Sequence, residues 1–299
     1  MSNILDGREL SARLYKTLVP RIQSLVSRGI TPSLKIILIG ARKDSIVYTQ
    51  MKAKRCATLG IKCEIVELPE TIETFDVIKK ISIFNADPLV HGVMVQLPLP
   101  EAIRNDTRKI VDTIAMSKDV DGLTSSSLGK LITEPIEIHD LWNLDFWVSS
   151  TIYGVLHFLA DRDIDIVGKN VGVVGNSALI GLPASIILSK LGATVETSQI
   201  YTTNLSERLR DRDIIIVGCG KRELIRGESV KPGAVIIDIG INVIVDENTG
   251  NRKIYGDCNY PECSEKAGLI TPVPGGVGPM TIYSLLEQLV KSAEASDYE

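Results

Sequence analysis

A chain of 299 residues, 44% of them hydrophobic and 23% charged, holds enough apolar side chain for one large core or two of ordinary domain size and reads as a soluble globular protein. Its formal net charge of −4 excludes a basic field for nucleic acid, which leaves a small molecule as the expected partner. No apolar run approaches the roughly 18 to 20 residues of a membrane span, and the first seven residues have neither signal nor transit character, so no membrane is expected and the compartment is read as cytoplasmic.

Along the chain, β-rich apolar runs alternate with segments of helical period. A helix over 8–28 precedes a strand at Leu34–Ile39, a helix over 45–59, a strand at Cys63–Leu68, a helix over 73–84 and a strand at Gly92–Gln96. The rhythm lapses between about Leu123 and Trp147, across the acidic, Trp-containing stretch Glu134–Asp145, which suggests a domain boundary. It resumes with a helix over 151–161, a strand at Asn170–Val174, a helix over 182–191, a strand at Thr194–Thr197, a helix over 205–211, and strands at Ile214–Val217 and Val235–Ile239. Strand and helix in turn mean an α/β chain with mainly parallel sheets. The acidic end, Glu294–Glu299, is expected to fray.

Cys56, Cys63, Cys219, Cys258 and Cys263 lack paired C-x-x-C spacing and read as reduced thiols. His91, His139 and His157 form no ligand spacing, so no metal is expected.

Several segments carry chemistry. Tyr48 and Lys52, at i and i+4, put a phenol and an amine on one helix face. An aromatic ring stacks on a planar substrate, and an amine in a low-dielectric site titrates nearer neutrality and serves as acid or base; a solvated lysine beside a packed tyrosine is the other reading. The strand from Gly92 ends in the amide Gln96, at the carboxyl edge of a parallel sheet where ligand crevices lie, and Lys118–Leu123 offers Asp119 and Asp121 in a tight turn. Asn170–Pro183 is strand, glycine turn, then helix, the order that a phosphate-binding βα unit requires, although the spacing from Gly175 to Gly181 exceeds G-x-G-x-x-G. A later strand also ends in glycines, at Gly218 and Gly220, which makes a Rossmann-type half. Thr271–Thr281 combines three glycines and three prolines ahead of a helical run from Ile282, a stiff, open loop at a helix start suited to a ligand, with a packed turn as the alternative.

The chain resembles the bifunctional methylenetetrahydrofolate dehydrogenase/cyclohydrolases nearly end to end. The resemblance rests on Asp6-Gly7, Tyr48-x-x-x-Lys52, Val95–Leu99, Lys118–Leu123, Gly175-x-Ser177 with Gly181-x-Pro183, Lys231–Ala234, Asp238-x-Gly240, Gly256-Asp257 and Pro272–Thr281. It implies two α/β domains with a cleft between them: a catalytic folate-binding domain of residues 1–147 and 280–299, and a Rossmann-type NAD(P)-binding domain of residues 148–279. The implied chemistry is oxidation of 5,10-methylenetetrahydrofolate with NADP or NAD, then hydrolysis of the methenyl form to 10-formyltetrahydrofolate. By the same resemblance Lys52 is the catalytic lysine, Gln96 holds it, Tyr48 stacks on the folate and Asp121 hydrogen-bonds the pterin. Pro274, Gly275 and Gly276 contact substrate, while Thr151, Gly175, Asn176, Ser177, Ile180, Gly181, Gly218 and Ile241 take the dinucleotide. A homodimer formed through the second domain is also implied.

The sequence departs from the family's pattern in three places. Ser149–Gly154 stands where the family has two prolines, which suggests a looser loop near the nicotinamide. Gly175-Asn176-Ser177 replaces Gly-Arg-Ser, and Ile200-Tyr201 stands at the usual polar or basic pair, so the cations that best hold a 2′-phosphate are missing; Glu196 either faces a ribose 2′-hydroxyl, as in NAD sites, or points outward. Glu134–Asp145 matches poorly. A monofunctional NAD-linked dehydrogenase and a catalytically decayed folate-binding paralogue stand as alternatives.

Overall fold

The computed structural model describes residues 3–137, 140–245 and 252–296, so His139 and the last three residues of the acidic tail lie outside it. Gly7–Ser27 (α1), Ser33–Ile39 (β1), Lys43–Leu59 (α2), Lys62–Leu68 (β2), Thr74–Ala86 (α3) and Gly92–Val95 (β3) follow one another in the expected alternation. The three strands form a parallel sheet in the order β2-β1-β3. Strand identity follows from sequence: β1 is nearly all aliphatic and buried along its length, as a central strand must be, whereas β2 alternates Lys, Glu and apolar residues and alternates in burial, as an edge strand does. Ile37, Ile39, Val93 and Val95 pack with Val77, Ile81 and Phe84 of α3 into one core.

The sequence lapse at 123–147 holds helical structure that composition hides. Thr107–Val111 (α4) precedes it, and Ser125–Thr133 (α5) lies inside it. The α5 sequence Ser-Ser-Ser-Leu-Gly-Lys-Leu-Ile-Thr is poor in helix formers, and its start is fixed by tertiary contacts: Asp112 accepts from Ser125 N at 2.7 Å and from Ser125 Oγ at 2.8 Å.

Ser150–Asp161 (α6) opens the second alternation, followed by Asn170–Val174 (β4), Gly181–Lys190 (α7), Thr194–Ser198 (β5), Leu205–Leu209 (α8), Ile214–Val217 (β6) and Val235–Asp238 (β7). An antiparallel hairpin, Asn242–Val245 (β8) with Arg252–Tyr255 (β9), then Tyr260–Ser264 (α9), Leu269–Ile270 (β10) and Val277–Ala295 (α10) complete the chain. Five strands pair in parallel in the order β10-β7-β6-β4-β5. The chain leaves β4 for β5 on one side and returns to β6 on the other, so the carboxyl ends of β4 and β6 flank a topological switch point, where open parallel sheets take ligands.

The chain divides into two compact units. One comprises Leu14–Thr133, Asp145–Ser150 and Ile282–Glu299 and holds the three-stranded sheet; the other comprises Met1–Arg13, Glu134–Leu144 and Thr151–Thr281 and holds the five-stranded sheet. No helix among the described residues is long and apolar enough to cross a membrane.

Candidate active site

Helix α2 carries Ser45, Thr49, Lys52 and Cys56 on its buried face, a stripe at helical spacing that sends Lys52 inward. The helix stops at Gly60, whose left-handed φ of 74° lets its N–H reach Ala57 O while Ile61 N bonds Cys56 O. Gln96 lies one residue past β3, its N–H still bonded to Ile37 O at 2.9 Å, so its side chain stands at the carboxyl edge of the sheet. Lys52 Nζ, only 4% exposed, donates to Gln96 Oε1 at 3.1 Å, approaches Met94 Sδ at 3.6 Å and lies 5.3 Å from the Tyr48 ring centroid. Gln96 Nε2 donates to Leu97 O at 2.9 Å, which fixes the amide so that its oxygen faces the lysine. Burial pushes the Lys52 ammonium below the usual lysine range, and the charge of Asp121 opposes that shift. The solvated-lysine reading is therefore wrong: this is a desolvated amine beside an acceptor and a ring.

The two carboxylates of the 118–123 turn have separate fates. Asp119, 1% exposed, is consumed locally, accepting from Leu123 N at 3.1 Å, Thr124 N at 2.8 Å and Ser127 Oγ at 2.7 Å. Lys118 is likewise structural, donating to the carbonyls of Phe84, Asn85 and Asp87 at the end of α3. Asp121 is half-buried, with Ser150 Oγ donating to its Oδ1. Gly122, at φ 66°, is required here because a Cβ would lie 2.3 Å from the Val148 carbonyl carbon. Gln288 of α10 holds the same two segments, donating to Val120 O and Val148 O and accepting from Val148 N.

In the other unit, the glycine turn after β4 brings four of the expected dinucleotide residues together. A Cβ on Gly181 would lie 1.8 Å from Gly175 O, and one on Gly175 would lie 2.7 Å from Gly218 O. The Ile180 side chain packs over Gly218, within 3.0 Å of where a Cβ would stand. Gly175 N bonds Ser198 O and Gly218 N bonds Val174 O, which continues the sheet into the turn. Asn176 and Ser177 are exposed in the turn between β4 and α7, Ile241 is 53% exposed beyond β7, and Thr151 sits in the first turn of α6. Bare backbone where side chains are sterically barred, at a switch point and ahead of a helix, fits a dinucleotide.

The glycine-proline segment is shorter as a loop than its composition suggests, because α10 begins at Val277. Gly275, at φ 115°, accepts from Gly7 N at 2.9 Å, and a Cβ on Gly7 would lie 1.8 Å from Gly276 O, so Asp6-Gly7 is the seat of this loop. Pro274 at its tip is exposed. Thr271 ties the loop to β7 by accepting from Asp238 N at 2.7 Å. Burial raises the Asp238 carboxyl to about 6 from a usual 3.8, against three backbone hydrogen bonds that lower it. Folded Asp238 thus holds its proton more tightly than the unfolded chain, and the stability this lends is full below about 3.8 and lost as pH rises through about 6. The stability of the protein relative to Asp238→Asn is expected to improve by about 2 kcal/mol between pH 7 and pH 4, from about 1.4 kcal/mol per pKa unit, in paired thermal melts; a constant difference contradicts it.

Residues 149–297 match the family described as tetrahydrofolate dehydrogenase/cyclohydrolase, NAD(P)-binding domain, and residues 5–121 match the catalytic domain of the same family. The bifunctional protein FolD of Nautilia profundicola is 40% identical over 291 residues, which is 97% of this chain and 97% of that one. The chain belongs to the tetrahydrofolate dehydrogenase/cyclohydrolase family. The cytoplasmic C-1-tetrahydrofolate synthase of Pongo abelii is 40% identical over 296 residues, but the chain spans only 31% of its length. Among solved structures, the FolD of Trypanosoma brucei, complexed with NADP cofactor and inhibitor, aligns with a TM-score of 0.91 at 30% identity over 99% of this chain and 98% of that one.

Within the tetrahydrofolate dehydrogenase/cyclohydrolase family, this member's departures have structural answers. The 149–154 segment is not a loose loop: α6 starts at Ser150, Ser150 N bonds Asp121 O at 3.1 Å, and Gly154 packs against Met280. Glu196 is held by Arg208 at 2.7 Å and by Arg212, which takes its carboxylate for ion pairing. Ser150, Gln288, Asp238 and Asp257 shape these sites without having been singled out for them; Asp-x-Gly at 238–240 and Gly-Asp at 256–257 were the available signals. No cluster of three or more possible metal-holding side chains occurs among the described residues.

Proposed function

We propose that the chain oxidises 5,10-methylenetetrahydrofolate to the methenyl form with NADP or NAD and hydrolyses the methenyl form to 10-formyltetrahydrofolate. The observation that carries this reading is Lys52: a buried amine 3.1 Å from Gln96 Oε1 and under the Tyr48 ring, in the unit that also holds Asp121. Tyr48 stacks on the flat folate, and Asp121, steadied by Ser150, accepts from the pterin N–H groups. Pro274, Gly275 and Gly276 contribute backbone to folate binding. Gly175, Asn176, Ser177, Ile180, Gly181 and Gly218, with Thr151 and Ile241, hold the dinucleotide, which when bound supplies the hydride acceptor.

Hydride loss from the methylene carbon leaves a methenyl cation. Water adds to that carbon and loses one proton. One C–N bond of the five-membered ring breaks as the remaining O–H proton leaves to form the formyl C=O, and the departing nitrogen takes up one of these two protons while the other goes to solvent. Lys52 suits this sequence because desolvation favours its neutral form, which receives the proton of the attacking water and passes one on to the leaving nitrogen. A neutral amine also avoids placing like charge beside the cation. Supplying methenyltetrahydrofolate alone tests this half: its absorbance is expected to decay much faster than in buffer without any dinucleotide, and decay at the buffer rate would contradict the cyclohydrolase assignment.

NAD is accepted beside NADP, and a specific feature favours that reading. Asn176 replaces a cation, Ile200 and Tyr201 after β5 are 89% and 83% exposed, and Arg208 and Arg212 are engaged by Glu196. Asn176→Arg is expected to raise the affinity for NADP relative to NAD by about tenfold or more, the worth of one charge-assisted hydrogen bond. Calorimetric titration with both dinucleotides checks it, and an unchanged ratio would show that position 176 does not face the 2′-phosphate.

The protein acts in one-carbon metabolism, in the cytoplasm, as a homodimer. The exposed β8–β9 hairpin supports the last point: Val243, Ile244 and Ile254 are each more than 40% exposed, an apolar surface suited to a second copy.

A further inference from the structure

Asp257, 0% exposed, and Asp238, 3% exposed, are buried carboxylates that the proposed chemistry does not use. Each is satisfied by backbone amides. Asp238 accepts from Gly240 N at 2.9 Å, Asp257 N at 3.0 Å and Cys258 N at 2.8 Å. Asp257 Oδ2 accepts from two consecutive amides, Cys219 N at 2.7 Å and Gly220 N at 2.9 Å, while its Oδ1 accepts from Asn242 Nδ2 at 2.9 Å. A carboxylate suits that site because it is acceptor-only and charged, so one oxygen can hold two N–H groups strongly. The fit is close: a Cβ on Gly240 would lie 2.2 Å from the Asp257 carboxyl carbon, and one on Gly256 would lie 2.0 Å from Asp238 Oδ2.

The two amides belong to the turn that begins at Gly218, against which Gly175 packs. We propose that Asp257 is a positioning residue for the dinucleotide, fixing the peptide planes of Cys219 and Gly220 and thereby the Gly218–Gly220 turn. The inference rests on the assignment of that turn to NAD(P). Asp238 extends it, since it holds Asp257 N through its side chain and the Thr271 hydroxyl through its own N–H, so one pair of carboxylates supports both the dinucleotide turn and the start of the glycine-proline loop. In Asp257→Asn one acceptor oxygen becomes an amide donor, and it must face either the Cys219 and Gly220 amides or the amide of Asn242.

The test titrates NAD and NADP into the full chain as wild type, Asp257→Asn and Asn242→Ala, and compares dehydrogenase with methenyl hydrolysis in each. Expected are dinucleotide binding weakened by about tenfold or more in Asp257→Asn and by a few-fold in Asn242→Ala, with a raised KM for dinucleotide. Dehydrogenase kcat/KM should fall about tenfold further than hydrolysis, a split that a merely structural role would not give. Alkylation of Cys219, followed by peptide mass, adds an electrostatic readout: burial and then Asp257 push this thiol up to about 11, so its pH profile should move down in Asp257→Asn. Dinucleotide binding within twofold of wild type, or parallel loss of both activities, would overturn the proposal. If Asp257→Asn does not fold, Asn242→Ala decides by the same binding criterion. Wild type that binds neither dinucleotide would remove the NAD(P) assignment and this inference with it.

Discussion

Lys52→Met is expected to abolish ring opening of supplied methenyltetrahydrofolate, slowing hydrolysis by about 100-fold to 10,000-fold, the range that one positioned acid-base group contributes. The variant should fold. Folded Lys52 binds its proton less tightly than the unfolded chain, so its burial costs stability wherever the unfolded chain would hold that proton, from the ordinary lysine range downward. Methionine fills a similar volume without the ammonium and relieves that cost, so its melting temperature should equal or exceed that of wild type. Loss of hydrolysis with an intact melt then belongs to the chemistry alone. In the wild type the acid limb of the hydrolysis rate should lie below the usual lysine range, because protonation of Lys52 removes the base. Hydrolysis at the wild-type rate in Lys52→Met would refute the role of the lysine.

The second large effect is expected at Gly181. Its Cβ in Gly181→Ala would lie 1.8 Å from Gly175 O and 2.8 Å from Asn176 Cα, both backbone atoms that cannot swing aside as a side chain does. The start of α7 and the β4 turn must separate, and Gly175, Ile180 and Gly218, the residues proposed to hold the dinucleotide, lose their mutual packing. A destabilisation of about 1–3 kcal/mol is expected from the overpacking, with NAD(P) affinity lowered by about 100-fold or more because the turn no longer presents its backbone in place. Calorimetric unfolding and dinucleotide titration check both parts. Wild-type affinity in this variant would mean that the close approach of Gly181 to Gly175 is not what shapes the site.

Much of this was legible in the sequence because it rests on local pattern. The continuous aliphatic run of β1 and the alternation of β2 separate a central from an edge strand by inspection. Lys52 was visible because Tyr48-x-x-x-Lys52 lies on one face of α2, and Gln96 because it ends a buried strand. What stayed hidden depends on distant partners. Helix α5 has a serine-rich start and a glycine, and is anchored by Asp112 from outside the segment. The four-residue strands β8 and β9 and the two-residue β10 are too short to show a period. The division of labour between Asp119 and Asp121 could not be read from a turn holding both; burial and three short-range acceptor contacts assign one to structure, while Ser150 steadies the other. Glu196 had two readings until Arg208 and Arg212, 12 and 16 residues further on, were found on its carboxylate.

Mixing the purified protein with 5,10-methylenetetrahydrofolate and either NAD or NADP, while following reduced nicotinamide and methenyl absorbance together, tests the central assignment most directly. Reduced nicotinamide should accumulate in step with substrate consumed, with methenyl-folate appearing and then decaying to the formyl product. Nicotinamide reduction with neither dinucleotide would contradict the dehydrogenase assignment, whatever else the protein binds.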